Sequence, residues 1–71
     1  MLERKPHVSD ADWRQYDRTM DAITTRNPER VTNNCVDMLT AKCWQIGDAE
    51  LQADAFVALR NLIDEMMEVQ A

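Results

Sequence analysis

The helical spacing of apolar residues in the last third of this 71-residue sequence most constrains its fold. Between positions 55 and 69 they form two adjacent rows, one with the alternating four- and three-residue steps of a heptad seam. At about 100° per residue, the rows together cover roughly half of a helix circumference. One small neighbouring helix covers less than that, so we expect a second copy of the chain or another protein to cover the rest, and we favour a homodimer. The predicted dimer interface consists of Ala55, Phe56, Leu59, Leu62, Ile63, Met66, Met67 and Val69.

A first helix is predicted from about Asp10 to Thr25. Ser9 is a favourable N-cap, and acidic residues in the following turn stabilise the positive end of the helix dipole. Residues 1–8 precede this cap and are expected to form a flexible arm, with Val8 folding back on the first turn. The apolar stripe of this helix is narrow and consists of Trp13, Tyr16, Met20 and Ile23.

A second helix is predicted to begin at Pro28, with Asn27 as its N-cap, and to end at Ile46. Gly47 is the only glycine, and we expect it in the left-handed conformation that ends many helices. Asp48 is then the N-cap of a third helix that runs to about Val69. The expected apolar face of the second helix consists of Val31, Cys35, Met38, Leu39 and Ile46.

These elements predict an all-α fold with one helical domain over residues 9–71. The connection between helices 2 and 3 is very short, which predicts a long antiparallel hairpin with helix 1 packed across it. A chain this short is only marginally stable as a monomer, and small domains often gain stability from oligomerisation.

Charge and one tryptophan indicate where a partner would bind. The 13 acidic and 8 basic residues give a net charge of −5, which disfavours non-specific nucleic-acid binding and favours a basic protein partner. Asp64, Glu65 and Glu68 crowd the C-terminal end of helix 3, where the helix dipole disfavours acids. Trp44 projects away from the main stripe of helix 2. It either packs under helix 1 or in the dimer, or it is an exposed anchor for a partner.

Residue patterns typical of catalysis, metals and membranes are missing from the sequence. A single glycine excludes a glycine-rich phosphate loop, and the potential metal ligands His7, Cys35 and Cys43 lack the spacing of a zinc site. The two cysteines are about 12 Å apart by helical rise and cannot form a disulfide within one helix. No signal peptide or membrane-spanning stretch is recognisable. We therefore expect a cytoplasmic protein without cofactor, metal or catalytic site.

The sequence favours a non-enzymatic adaptor or inhibitor that binds another protein as a homodimer. A nucleic-acid-linked role is the first alternative, through DNA binding by the helix 1 arginines or through an acidic surface that imitates DNA. A structural subunit of a larger assembly is the second. The arginines along and just beyond helix 1 are Arg14, Arg18, Arg26 and Arg30.

Overall fold

The computed structural model describes residues 8–70, and these form three α-helices with no strand among them. Helix α1 spans Asp10–Thr24, α2 spans Asn33–Trp44 and α3 spans Ala49–Gln70, with a short 3₁₀-helix at Pro28–Arg30. The all-α prediction is confirmed. Residues 1–7 of the predicted arm lie outside the described residues, as does residue 71, whereas Val8, the last residue of that arm, is buried in the core.

Helix α1 begins as predicted, because the Ser9 hydroxyl oxygen accepts a hydrogen bond from the Asp12 backbone N–H at 3.2 Å. Its buried stripe differs at one position: Thr19 is fully buried, whereas the predicted Met20 is half-buried. A threonine is tolerated there because its hydroxyl donates to the Gln15 carbonyl oxygen at 2.7 Å. The buried polar atom therefore has a partner within its own helix.

The prediction of one continuous helix from Pro28 to Ile46 is wrong. Asn27 caps only the 3₁₀-helix, and Val31 then adopts an extended conformation (φ −74°, ψ 128°) that places its side chain in the core. Thr32 is extended as well, and its hydroxyl oxygen accepts a hydrogen bond from the Cys35 N–H at 3.2 Å. Threonine favours caps over helix interiors because its hydroxyl can replace a backbone partner. Helix α2 therefore begins after Thr32.

The end of α2 also differs from the prediction. The helix stops at Trp44, and Gly47 does not adopt the left-handed conformation. A Cβ atom at position 47 would lie 2.7 Å from the Asp12 carboxylate, so the glycine allows α1 to approach this loop closely. Asp48 caps α3 as predicted, since its carboxylate accepts from the backbone N–H groups of Glu50 and Leu51 at 3.0 and 3.1 Å.

Glutamine side chains anchor the start of α3 to the end of α2 and the loop after it, and the end of α3 to the segment before α2. The Gln52 amide donates to the carbonyl oxygens of Trp44 and Ile46, at 3.4 and 3.3 Å. The Gln70 amide donates to those of Pro28 and Val31, both at 3.1 Å.

The hydrophobic core lies where α1 and α2 both pack against α3. This arrangement corrects the predicted interface, because Ala55, Leu59 and Leu62 are 5% exposed or less within their own chain. Both α1 and α2 cover this row of α3, whereas the prediction assumed that one neighbouring helix covers it. The predicted α2 face also changes, since Met38 is 44% exposed and Cys43 is buried. The core residues are Val8, Trp13, Tyr16, Ile23, Val31, Leu39, Cys43, Ile46, Leu51, Ala55, Leu59 and Leu62.

Candidate protein-interaction surfaces

One candidate surface is an apolar row beside the core, formed by Trp44 of α2 with Phe56, Ile63 and Met67 of α3. Trp44 is 65% exposed, and its indole packs edge-on against the Phe56 ring with centroids 5.0 Å apart. Phe56 and Ile63 are half-buried against the core, and Met67 is 63% exposed. Their spacing of seven and four residues places them on one side of α3. We call this surface the Trp44 row.

Two opposite charges border the Trp44 row. Arg60 and Asp64 are both exposed and lie one helical turn apart on α3. Helical spacing puts them next to the row on its solvent side. The edge of this apolar surface therefore carries one positive and one negative side chain.

The other residues predicted for interfaces have different positions. Val69 is exposed near the end of α3, and Met66 is half-buried against the core. Asp64, Glu65 and Glu68 are exposed, and the last turn of α3 contains no basic residue. The arginines proposed for a DNA-binding helix are exposed as well: Arg14, Arg18, Arg26 and Arg30.

A second candidate surface, which the sequence analysis missed, is a groove of about 910 Å³ between α1 and α3. We call it the α1–α3 groove. Its walls combine apolar side chains with three aspartates. The lining residues are Trp13, Tyr16, Asp17, Met20, Asp21, Thr24, Asp54, Val57, Ala58 and Asn61.

A hydrogen bond between the two helices fixes the floor of this groove. The Tyr16 phenol donates to the Asp54 carboxylate, and the Tyr16 ring packs edge-on against Trp13 with centroids 5.8 Å apart. Burial, the hydrogen bond to Asp54 and the negative charges of Asp54 and Asp17 together raise the pKa of Tyr16 to about 12. The phenol therefore stays protonated and holds Asp54 at the groove wall.

A smaller cavity of about 270 Å³ continues the groove towards the C-terminal end of α1. It shares Thr24, Ala58 and Asn61 with the larger one and adds Arg26 and Glu65 to the lining. The two cavities together are lined by four carboxylates and one guanidinium group, so the groove is acidic.

Neither cysteine forms a disulfide. Cys43 is buried, which raises the pKa of its thiol, and Cys35 is half-buried. Within residues 8–70, no three His, Cys, Asp or Glu side chains are placed to hold a metal ion together. His7 lies outside that range. No helix in the described part of the chain combines the length and apolarity needed to cross a membrane.

The groove could not be predicted from the sequence because its residues come from two helices at least 30 positions apart. Asp17 and Asp21 look like ordinary solvent-facing acids of an amphipathic helix when α1 is considered alone. No local pattern indicates that Asp54 lies opposite them. Only the packing of α1 on α3 creates the acidic concave surface.

The structure thus defines a small all-α domain with two candidate interaction surfaces. No protein-family model, curated protein or solved structure matches this chain.

Proposed function

We propose that this chain is a small non-enzymatic interaction module of the cytoplasm that acts as a homodimer, as an adaptor or inhibitor of another protein. The observation that carries the proposal is the exposed indole of Trp44, which packs on Phe56 at one end of an apolar row. Small monomeric domains rarely leave a tryptophan and several apolar neighbours exposed together, and tryptophan is enriched at binding hot spots.

We further interpret α2 and α3 as an antiparallel hairpin. The hydrogen bonds of Gln52 and Gln70 support this interpretation, because they join the start of α3 to the end of α2 and the end of α3 to the segment before α2. In such a hairpin the Trp44 row forms one long side of the module.

The charges beside the row favour a second copy as its occupant. In a twofold dimer, each contact between two different residues occurs twice. If two α3 helices cross antiparallel, Arg60 faces Asp64 of the second copy when the twofold axis passes near position 62. The same axis brings Phe56 opposite Met67, because the midpoint of that pair lies between positions 61 and 62. One register therefore satisfies both the charged and the apolar contacts.

The expected dimer is moderate in affinity. Covering the partly exposed row on both copies supplies on the order of 10 kcal/mol gross, at ~1.5–3 kcal/mol for each fully buried side chain. Association costs at least about 4 kcal/mol. We therefore expect a dissociation constant in the micromolar range or weaker.

Sedimentation equilibrium tests self-association through the row. At high concentration the wild type should have about twice the 8.2 kDa mass of the chain, and Trp44→Ala should shift the mass towards one chain. Met38→Ala is the matched control, because it removes an exposed apolar side chain from another side of α2. A wild type that remains monomeric at millimolar concentration contradicts the proposal.

A charge-swap experiment tests the twofold register. Arg60→Glu and Asp64→Lys each create two like-charge contacts in the proposed dimer and should each weaken it several-fold. An equimolar mixture of the two variants should form heterodimers, because both contacts are then attractive. Equal dimerisation of the separate and mixed variants would exclude this register.

The adaptor role requires a partner from the native cell. A partner retained by the wild type and Met38→Ala but lost with Trp44→Ala would support an adaptor that binds its partner only as the dimer formed through the row. Retention by all three proteins would place the partner on another surface.

A further inference from the structure

We propose that the α1–α3 groove binds a basic amphipathic segment of a protein partner. Apolar side chains of the segment would lie on the groove floor, and its lysine or arginine side chains would pair with the acidic rim. The inference rests on the proposed function, since it names the class of partner that the interaction module takes.

The shape and lining of the groove fit a peptide segment. The groove has a volume of about 910 Å³ and is open to solvent along the line where α1 and α3 meet. An elongated occupant fits this shape. Met20, Val57 and Ala58 provide apolar contacts, and Val57 is exposed in the free chain. Amphipathic helices are commonly recognised in this way, with their apolar face in a hydrophobic groove between helices.

Charge complementarity indicates a basic occupant. Asp17 and Asp21 lie one turn apart on α1, about 6 Å by helical rise, and Asp54 faces the same groove from α3. Glu65 extends the acidic rim into the smaller cavity, where Arg26 is the single basic lining residue. Two basic side chains one helical turn apart on a partner would match the Asp17 and Asp21 spacing.

A second copy of this chain does not fit the groove by the same surface. The apposed grooves would bring the carboxylates of Asp17, Asp21 and Asp54 together, and such like-charge contacts disfavour association. The groove and the Trp44 row therefore take different occupants. The row binds a second copy, and the groove stays open to a partner of opposite charge.

A synthetic amphipathic helical peptide of leucine and lysine is the probe, and the same peptide with glutamate in place of lysine is the peptide control. The chain contains two tryptophans, so in Trp44→Phe the groove residue Trp13 is the only one. The lysine peptide should shift Trp13 emission in a saturable way, and the glutamate peptide should not. Anisotropy of a labelled lysine peptide gives the affinity.

Variants of exposed groove residues test the site without disturbing the core. Asp17→Asn with Asp21→Asn should weaken peptide binding about tenfold, as expected for two lost ion pairs in a partly enclosed site. Val57→Ser should weaken it several-fold. Glu29→Gln with Asp37→Asn removes two exposed charges outside the groove and should change the affinity less than about twofold, through general charge alone.

Two results would overturn the inference. One is equal weakening by the groove pair and the control pair, which would mean non-specific attraction to an acidic protein. The other is peptide binding that leaves Trp13 emission unchanged. Sedimentation of the wild type and Trp44→Ala distinguishes failure of this inference from failure of the proposed function. If the wild type does not dimerise but the peptide still binds, only the dimer is contradicted.

Discussion

At the scale of single residues, the contact between Tyr16 and Asp54 has the most direct chemical consequence. Tyr16 is nearly fully buried and donates to a carboxylate that lines the α1–α3 groove. Ionising the phenol would place a second negative charge beside Asp54 in a poorly solvated position. The neutral phenol is therefore strongly favoured in the folded chain.

The pH dependence of Tyr16 follows from this environment. Its pKa is about 12 in the folded chain against 10.0 ordinarily, so the unfolded chain loses the proton first as the pH rises. The resulting stability is fully present below pH 10.0 and falls as the pH rises towards 12. Tyr16 is the only tyrosine, so phenolate absorbance reports it alone.

Phenolate titration should give a midpoint near 12, and Asp54→Asn should lower it towards 10.0. Circular dichroism at each pH checks that the helices persist. Asp37→Asn is the control and should leave the midpoint in place. A wild-type midpoint near the ordinary value in a folded chain would contradict the buried hydrogen bond.

Gly47 provides a second prediction at this scale. Its φ is not in the left-handed region, so alanine is sterically compatible with the backbone. Gly47→Ala should change the free energy of unfolding by less than about 1 kcal/mol, because reduced unfolded-state entropy offsets a shift of the Asp12 carboxylate.

In the Asp12→Ala background, Gly47→Ala should stabilise the chain by about 0.4–1 kcal/mol, because the close contact with the carboxylate is gone. Urea denaturation measures both changes. A loss well above 1 kcal/mol in both backgrounds would indicate a left-handed glycine.

At the scale of the helices, Thr32 decides where α2 begins. Thr32→Ala removes the hydroxyl that accepts from the Cys35 N–H and should lower the free energy of unfolding by about 1 kcal/mol. Thr32→Ser keeps a hydroxyl at this position and should retain most of that stability. In an uninterrupted helix the alanine would instead be stabilising, because its helix propensity is higher. The sign of the change in urea denaturation therefore separates the two structures.

Thr24→Ala is the matched control for this experiment. Thr24 is exposed within α1, and its hydroxyl donates to the Met20 carbonyl oxygen rather than capping a helix. Its replacement should change stability by no more than about 0.5 kcal/mol.

At the scale of the whole molecule, α3 has one row inside the core and one beside it. Leu62→Ala should destabilise the chain by about 2–5 kcal/mol at every protein concentration, because it opens a cavity in the core. That is a large part of the roughly 4–10 kcal/mol expected for a domain of this size. Met67→Ala should cost less than about 0.5 kcal/mol in dilute solution.

Urea denaturation at low and high protein concentration measures both variants. The loss of unfolding free energy caused by Met67→Ala should grow with protein concentration, because dimerisation stabilises the wild type by mass action and the variant dimerises less. If Leu62→Ala were the variant whose cost depends on concentration, Leu62 would belong to an interface.

Local sequence patterns predicted the helices best where they include a cap. Ser9 and Asp48 accept hydrogen bonds from N–H groups only two or three residues away, so their role depends on neighbours in the sequence. Thr32 follows the same rule, but the prediction placed the helix start at the Asn27-Pro28 pair and did not consider Thr32. Val31 is extended and buried between the two, so α2 begins only after Thr32.

The sequence by itself determined that the chain is helical and that α3 is apolar over a wide arc, because both properties depend on local propensity and helical spacing. Tertiary structure decided which part of that arc is core: two helices cover Ala55, Leu59 and Leu62 and leave the Trp44 row exposed. It also created the acidic α1–α3 groove. Burial and concavity depend on which helices meet, and residues distant in the sequence meet only in the folded chain.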